Sequence, residues 1–261
     1  MEKFTLILAI FLSFSILSAQ NVNNKGMIEY NQVLENDTIT KNMIETKGTL
    51  YFDAEEQKSI YVWDKKNLKY KQEIQKMEDE SLKTVQLNGS RGTDSIGRIV
   101  FKYYKDSAIK VREKLNQWYI IADTVVIEWS IKEETKILKG MKLQRAEGDF
   151  RGRHYIAWFN PQIPISDGPW KLRGLPGLIL EAYDEKKHVR FELISVSLPA
   201  VYDNIIETPT KGENINFNQY FEKRMKAMVG AVDRINAKLS QFNNISVSNL
   251  TIMNNIIERS N

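Results

Sequence analysis

The stretch at residues 150–184, FRGRHYIAWFNPQIPISDGPWKLRGLPGLILEAYD, contains two short apolar runs and the loop that joins them. Residues 155–159 and 178–180 carry almost no polar side chains, which is typical of strands covered on both faces. Four of the six prolines of the chain lie between or beside these runs, interleaved with three glycines. Because proline fixes φ and glycine permits positive φ, the pattern predicts a long, ordered loop between two buried strands.

Short runs with alternating apolar and polar residues surround this stretch and predict further strands. The runs lie at residues 26–34, 49–53, 59–63, 99–104 and 108–114. The clearest alternation is at 125–132, where Val125, Ile127, Trp129 and Ile131 occupy one face. In 189–198 the apolar parity changes between Leu193 and Ile194, which predicts a β-bulge. The charged segment 65–95 predicts an exposed excursion, as a hairpin or a short helix.

Near the C-terminus the apolar period changes from two to that of a helix. Apolar residues are spaced 4, 3, 4, 3, 4 and 3 apart, at Phe221, Met225, Met228, Val232, Ile235, Leu239 and Phe242. This spacing predicts one helix over 217–242, about 39 Å long, with a single apolar stripe. The stripe is expected to cover the concave face of a curved sheet, and a coiled-coil partner helix is the alternative.

These patterns predict a mainly β fold: a single curved antiparallel sheet, an open or half barrel, with one long C-terminal helix. That architecture is similar to the lipoprotein carriers of the bacterial envelope, a likeness of fold that says little about chemistry. Neither an internal repeat nor a linker divides the chain, so residues 21–261 are expected to form a single β-rich domain.

The N-terminus has the pattern of a secretory signal peptide over residues 1–20. Glu2 and Lys3 precede the apolar run FTLILAIFLSFSIL, which ends in Ser18-Ala19-Gln20. The run is shorter than the roughly 20 apolar residues of a membrane span, so cleavage after Ala19 or Gln20 is expected. The predicted mature protein is exported, periplasmic or secreted, and does not span the membrane.

Composition restricts the chemistry that this chain can perform. It contains no cysteine, which excludes disulfides, thiolate metal sites, thiol nucleophiles and a lipid anchor on cysteine. Two histidines without a recognisable ligand spacing predict no metal site. A formal net charge of +4 is too small to indicate nucleic-acid binding.

The run GLPGLI at residues 174–179, together with AWF at 157–159, IPISDGPW at 163–170 and FRGR at 150–153, resembles the GLPGLI family of Bacteroidetes proteins. The resemblance is strongest over 128–198 and extends more loosely to the whole chain. It implies an exported envelope protein of uncharacterised biochemical function. Many members carry a cysteine near 142–146, where this chain has Leu143 and Gln144, so a metal or redox role for that cysteine does not transfer.

The loop and its flanks provide the candidate binding site, because aromatic rings and a guanidinium can stack on a sugar, a peptide or a lipid head group. The predicted binding residues are Trp158, Asp167, Trp170, Arg173, Gly174, Leu175, Pro176 and Gly177. The leading hypothesis is a non-enzymatic module that binds an apolar or peptidic ligand, or an outer-membrane partner. The Gly-Leu-Pro-Gly turn lacks the residues of a phosphate loop, so no cofactor is predicted.

Two other hypotheses remain open at this point. A hydrolase could use Asp167 and His154, provided that these side chains lie within about 3 Å or share one water. Arg151, Arg153 and His154 could form a basic cluster. Alternation, however, places Arg151, Arg153 and Tyr155 on one strand face and His154 on the other, which splits this cluster. The third hypothesis is a structural scaffold that needs neither a cavity nor a catalytic pair.

Four Asp-Ser/Thr triplets resemble the acceptor of the Bacteroidetes O-glycosylation system. They begin at Asp37, Asp94, Asp106 and Asp123. Each lies between predicted strands, where these residues also favour turns, so the sequence leaves both roles open.

Overall fold

A computed structural model describes residues 24–37, 42–64, 69–71 and 94–239, and the alternating runs become strands of one sheet. The strands are β1 (Lys25–Asp37), β2 (Asn42–Asp53), β3 (Lys58–Trp63), β4 (Lys69–Lys71), β5 (Ile99–Tyr103), β6 (Ala108–Lys114), β7 (Trp118–Thr124), β8 (Ser130–Leu138), β9 (Met141–Phe150), β10 (Arg153–Asn160), β11 (Leu178–Asp184), β12 (Val189–Ser197) and β13 (Glu213–Asn216). The single described helix is α1 (Phe217–Leu239). The predicted mainly β class is confirmed.

The sheet is open and does not close into a barrel. Its strand order is β13-β7-β6-β5-β3-β2-β1-β12-β11-β10-β9-β8, and β4 pairs with β2 beside this path. Neighbouring pairs are antiparallel, with one exception among the described strands: β13 runs parallel to β7. The predicted antiparallel sheet is confirmed apart from this one pair, which forms because β13 follows a long segment, residues 198–212, that returns the chain to the far edge.

The inner face of the sheet surrounds the main core, whereas part of the outer face is covered separately. Alternating residues of the strands, such as Tyr30, Leu50 and Val100, are fully buried on the inner side. On the outer side, Ile60 and Phe101 pack with Ile206 from the segment 198–212. Successive side chains of a strand point to opposite sides of the sheet, which is the physical origin of these two faces.

Residues 125–129 correct the clearest strand prediction. The segment is extended but has no ladder partners, because it crosses from β7 near one edge of the sheet to β8 at the other edge. Val125 and Ile127 are buried in the core as alternation predicts, but Ile131 in β8 is 46% exposed. Burial alternates in any extended segment that has one covered side. The alternation of apolar residues therefore did not distinguish a paired strand from an extended connection that crosses the sheet.

The predicted bulge in β12 is confirmed. Glu29 pairs with Ser195 and Tyr30 pairs with Leu193, so that Ile194 is the extra residue. Most of the predicted excursion at 65–95 lies outside the described residues.

The helix begins where predicted, with a reciprocal cap between Asn216 and Gln219: each backbone N–H donates to the other residue's side-chain oxygen. Phe217 and Tyr220 in the first turn are buried, and the Tyr220 ring packs against Tyr119 of β7 at 5.9 Å. Among the described elements, α1 contacts β7 and β13 only. The expectation that it covers the concave face is met only by this first turn, which joins the main core, because the loop between β10 and β11 occupies much of that face.

Candidate functional site

Residues 161–177, here called the inner loop, fold onto the concave face and become part of its core. Trp170, Leu172 and Leu175 are almost completely buried. The Trp170 ring stacks on Phe191 of β12 at 6.2 Å and meets Phe150 of β9 edge-on at 5.7 Å. Trp170 adopts φ 53°, a conformation that costs a bulky residue free energy and persists only when packing enforces it.

A buried ion pair joins the inner loop to β5. Lys102 Nζ contacts the Asp167 carboxylate and donates to the carbonyl oxygens of Gly168 at 2.8 Å and Trp170 at 3.1 Å. Both charged side chains are completely inaccessible to solvent. Burial lowers the pKa of the Lys102 ammonium, and the negative charge of Asp167 opposes that shift. The pair therefore ties the loop to a strand far away in the sequence.

Two hydroxyl groups lie beside this ion pair on the inner face. Ser59 of β3 is directly opposite Lys102 in the ladder, and Tyr104 follows two residues after Lys102. Burial and the neighbouring Asp167 charge raise the pKa of Tyr104 well above its ordinary value. Since Ser59 is itself fully buried, this is an enclosed polar patch within the core.

A second buried carboxylate holds the other end of the inner loop. Asp123 Oδ2 accepts a hydrogen bond from Lys171 Nζ at 2.7 Å, and Asp123 Oδ1 accepts one from Arg151 Nη2 at 2.5 Å. Phe217, the first residue of α1, lies beneath both cations, with its ring centre 3.6 Å from the Arg151 guanidinium and 5.0 Å from Lys171 Nζ. The start of the helix and the inner loop are thus anchored by the same charge cluster.

Most of the predicted binding residues are placed in this core. The buried ones are Asp167, Trp170, Arg173, Leu175 and Gly177; Gly174 and Pro176 are exposed, and Trp158 is half-buried. Arg173 donates to the Tyr103 carbonyl at 2.8 Å, and its own carbonyl accepts from Trp129 Nε1 at 2.7 Å. As binding residues these eight stay a prediction, because the core positions would reach a ligand only if the loop moved.

The predicted stacking group of Trp158, Trp170 and Arg173 is not brought together. Alternation in β10 points Trp158 to the outer face, while the inner loop carries Trp170 and Arg173 to the inner one. The cations beside the two rings are different: Lys136 Nζ is 4.5 Å from the Trp158 ring centre, and Lys171 Nζ is 5.6 Å from that of Trp170.

The outer surface of β8–β11 forms a second candidate site, here called the Trp158 face. In the ladder Trp158 lies between Arg145 and Glu181, and the next outward residue, Ile156, lies beside Tyr183. Ile156, Trp158 and Tyr183 are half-buried and therefore still reachable from solvent. Trp158 Nε1 is itself shielded from solvent and has no hydrogen-bond partner within the described residues, so only the ring is presented to the surface.

Charged side chains surround this aromatic and aliphatic centre. Lys136 Nζ lies 2.5 Å from Glu181 Oε1, and Arg145 pairs with both Glu134 and Glu147. Half-exposed rings within a rim of paired charges have the composition of protein-binding hot spots. The sequence prediction included Trp158 but missed Ile156, Tyr183, Lys136 and Arg145. The only sign of these residues in the sequence was that alternation places them on the outer face of their strands.

The hydrolase pair is not assembled. His154 Nδ1 lies 2.7 Å from Asp149 Oδ1 on the outer surface, and its Nε2 lies 4.0 Å from Glu147 Oε2. Asp167, by contrast, is completely buried beside Lys102 on the inner face. The predicted separation of His154 from Arg153 and Tyr155 is confirmed by the burial pattern of β10.

Neither a metal-ligand cluster nor a membrane-spanning helix occurs in the part of the chain that the structure describes. No group of three or more His, Asp or Glu residues within it could hold a metal ion. The one helix of that part lacks the apolar length needed to cross a bilayer.

The aspartates of three glycosylation-like triplets act as turn acceptors. The side chains of Asp94, Asp106 and Asp123 accept hydrogen bonds from backbone N–H groups one to three residues later in the chain. Ser95 and Thr124 are nonetheless exposed, so the modification stays a prediction. The triplet at Asp37 lies mostly outside the described residues.

The sequence profile of a family described as "Protein of unknown function (Porph_ging)" matches residues 33–181, which is more than half of the chain. The chain belongs to this family. The matched region includes the inner loop and the Trp158 face apart from Tyr183. The expectation of a family of uncharacterised function is confirmed, although the match does not carry the GLPGLI name. No curated protein matches the sequence.

Several solved structures are similar in fold at low identity. Two structures of PNGF-II are 15% and 14% identical, with TM-scores of 0.47 and 0.48. Each match covers 78% of this chain, which spans only about a third of PNGF-II (34% and 33%). An uncharacterised conserved protein from Thermus thermophilus is 8% identical with a TM-score of 0.38, covering 75% of this chain and 92% of the other. Similarity at this level carries no functional conclusion.

Proposed function

We propose that this protein is an exported, non-enzymatic binding module of the bacterial envelope, and that it binds a peptidic segment of a partner protein at the Trp158 face. The observation that carries the proposal is the half-buried Trp158 ring at the centre of a rim of paired charges. Tryptophan, tyrosine and arginine dominate binding energy at such positions because they combine a large apolar area with a polar group.

An apolar small ligand is less well supported than a peptide. Such a ligand needs a concave apolar pocket, and the concave face here is filled by Trp170, Leu172 and Leu175. A peptide needs only an accessible surface with alternate apolar and charged groups, which β8–β11 provide.

Photo-crosslinking tests the proposed face. A benzophenone amino acid at position 156 of the mature protein, produced in its own cells, is expected to form an adduct of discrete mass with one partner. Adding Trp158→Ala should reduce that adduct by roughly tenfold, the effect of losing a hot-spot side chain worth about 1–2 kcal/mol. The adduct is read by denaturing electrophoresis and mass spectrometry.

The matched control is the same amino acid at position 201, where Val201 is 93% exposed and lies outside the Trp158 face. Equal labelling from positions 156 and 201, or an adduct that Trp158→Ala leaves unchanged, would contradict the proposal.

Export is tested separately by the intact mass of the protein purified from its own cells. Cleavage of the predicted signal peptide yields a mature chain that starts at Gln20 or Asn21, and the protein should be found in the periplasmic or secreted fraction. Added mass that survives denaturation would indicate glycans at Ser95 or Thr124, and mass lost on denaturation a bound ligand. A full-length mass in the cytoplasmic fraction would contradict export.

A further inference from the structure

Beyond its first turn, α1 has an apolar side that the described elements leave uncovered. The helix contacts β7 and β13 alone among these elements. Met225 is 37% exposed and Val229 is 57% exposed. Met225 belongs to the predicted stripe, which the sequence continues at Val232 and Ile235, and Val229 lies beside it, one turn after Met225. The described strands therefore do not occupy this side of the helix.

The charge of the helix indicates what kind of partner fits. Between Phe217 and Leu239 there are five basic residues and two acidic ones, a net charge of 5 − 2 = +3, whereas the whole chain carries only +4. The basic residues are Lys223, Arg224, Lys226, Arg234 and Lys238. Positive charge is thus concentrated on an element whose apolar side the described sheet does not cover.

We propose that α1 lies in the interface of an anionic lipid membrane, with its exposed apolar side at Met225 and Val229 against the acyl chains and its basic residues among the head groups. Helices that lie in this plane combine a low mean hydropathy with a Lys- and Arg-rich polar side and an apolar side of large residues. Each basic residue close to an anionic surface adds to the attraction. The inference does not depend on the Trp158 face.

A second copy of this chain is the competing occupant, because spacings of 3 and 4 also suit a coiled coil. Five of the seven charged residues of α1 are basic, so two copies of the helix packed side by side would bring like charges together. These like charges would repel each other. An anionic surface satisfies the same charges, which favours lipid over a second copy.

Vesicle sedimentation of the full mature chain tests the proposal. The probe is a vesicle of phosphatidylcholine with about one third phosphatidylglycerol, compared with pure phosphatidylcholine. The chain is expected to sediment with the anionic vesicles only. Lys223→Gln with Lys226→Gln should weaken binding about 25-fold, at roughly fivefold for each charge. Met225→Ser with Val229→Ser should weaken it as well.

The matched control is Lys142→Gln with Lys186→Gln, two exposed lysines of the sheet, one in β9 and one in the turn between β11 and β12, which should leave binding unchanged. Circular dichroism verifies that all variants are folded. Equal sedimentation with both vesicle types, or equal weakening by the control pair, would overturn the proposal. A dimer in analytical ultracentrifugation that Met225→Ser with Val229→Ser dissociates, without vesicle binding, would assign the stripe to a second copy instead.

Discussion

Asp167→Asn is expected to lower the free energy of unfolding of the mature protein by about 4 kcal/mol, because it leaves the Lys102 ammonium buried without a counter-ion. The amide still leaves Lys102 its two carbonyl acceptors on Gly168 and Trp170, but neutral acceptors do not replace a carboxylate in the core. Lys102→Met is expected to cost a similar amount by isolating the carboxylate. Urea unfolding followed by tryptophan fluorescence gives the values.

The double variant Lys102→Met with Asp167→Asn distinguishes an ion pair from two separate contributions. Since it removes both charges, it should cost about 1–3 kcal/mol less than the sum of the single variants. Lys132→Met is the matched control, because it breaks a partly exposed pair with Glu147 at 3.3 Å and should change stability by less than about 1 kcal/mol. Additive single effects, or an Asp167→Asn protein as stable as the parent, would show that the pair does not hold the inner loop.

Gly177→Ala is expected to destabilise the protein by about 3 kcal/mol, because there is no space for a Cβ at that position. An added Cβ would lie 2.3 Å from the carbonyl oxygen of Asn160 and 2.9 Å from the Cα of Pro161. These are backbone atoms at the point where β10 ends and the inner loop begins, so they cannot rotate away. Thermal unfolding monitored by circular dichroism should show a midpoint lowered by roughly 6–12 °C.

Gly140→Ala separates crowding from backbone conformation. Gly140 has φ 79°, and no described atom lies within 4 Å of its hypothetical Cβ, so alanine there meets only the conformational cost of about 1 kcal/mol. If the two variants were equally stable, close approach at Gly177 would not be the reason for its glycine.

The two buried ion pairs also show where sequence reasoning stopped. Lys102 lies within the apolar run IVFKY, and Asp123 follows the apolar run YIIA, so each was visible as a charge in a buried strand. Their partners were not, because Lys102 contacts Gly168 across 66 residues and Lys171 contacts Asp123 across 48. A local pattern reports whether a side chain faces the core, but not which distant segment supplies its counter-ion.

The Trp158 face illustrates the same limit on a surface. Trp158 could be selected from the sequence as an aromatic residue beside an unusual loop. Its real neighbours come from β8, β9 and β11, and they depend on which strands pair and in which register. Trp170 looked equivalent in the sequence, yet the turn of the inner loop places it on the opposite side of the sheet.

By itself, the sequence determined the β class, most strand positions, the bulge at Ile194, the start of α1 and the ordered conformation of the inner loop. These features follow from apolar periodicity and from the positions of proline and glycine over a few residues. The tertiary structure alone decided that β13 pairs in parallel with β7, that 125–129 is a crossing and that the inner loop, rather than the helix, occupies much of the concave face. Those outcomes depend on contacts between segments far apart in the chain, which compete for the same apolar surface and the same buried charges.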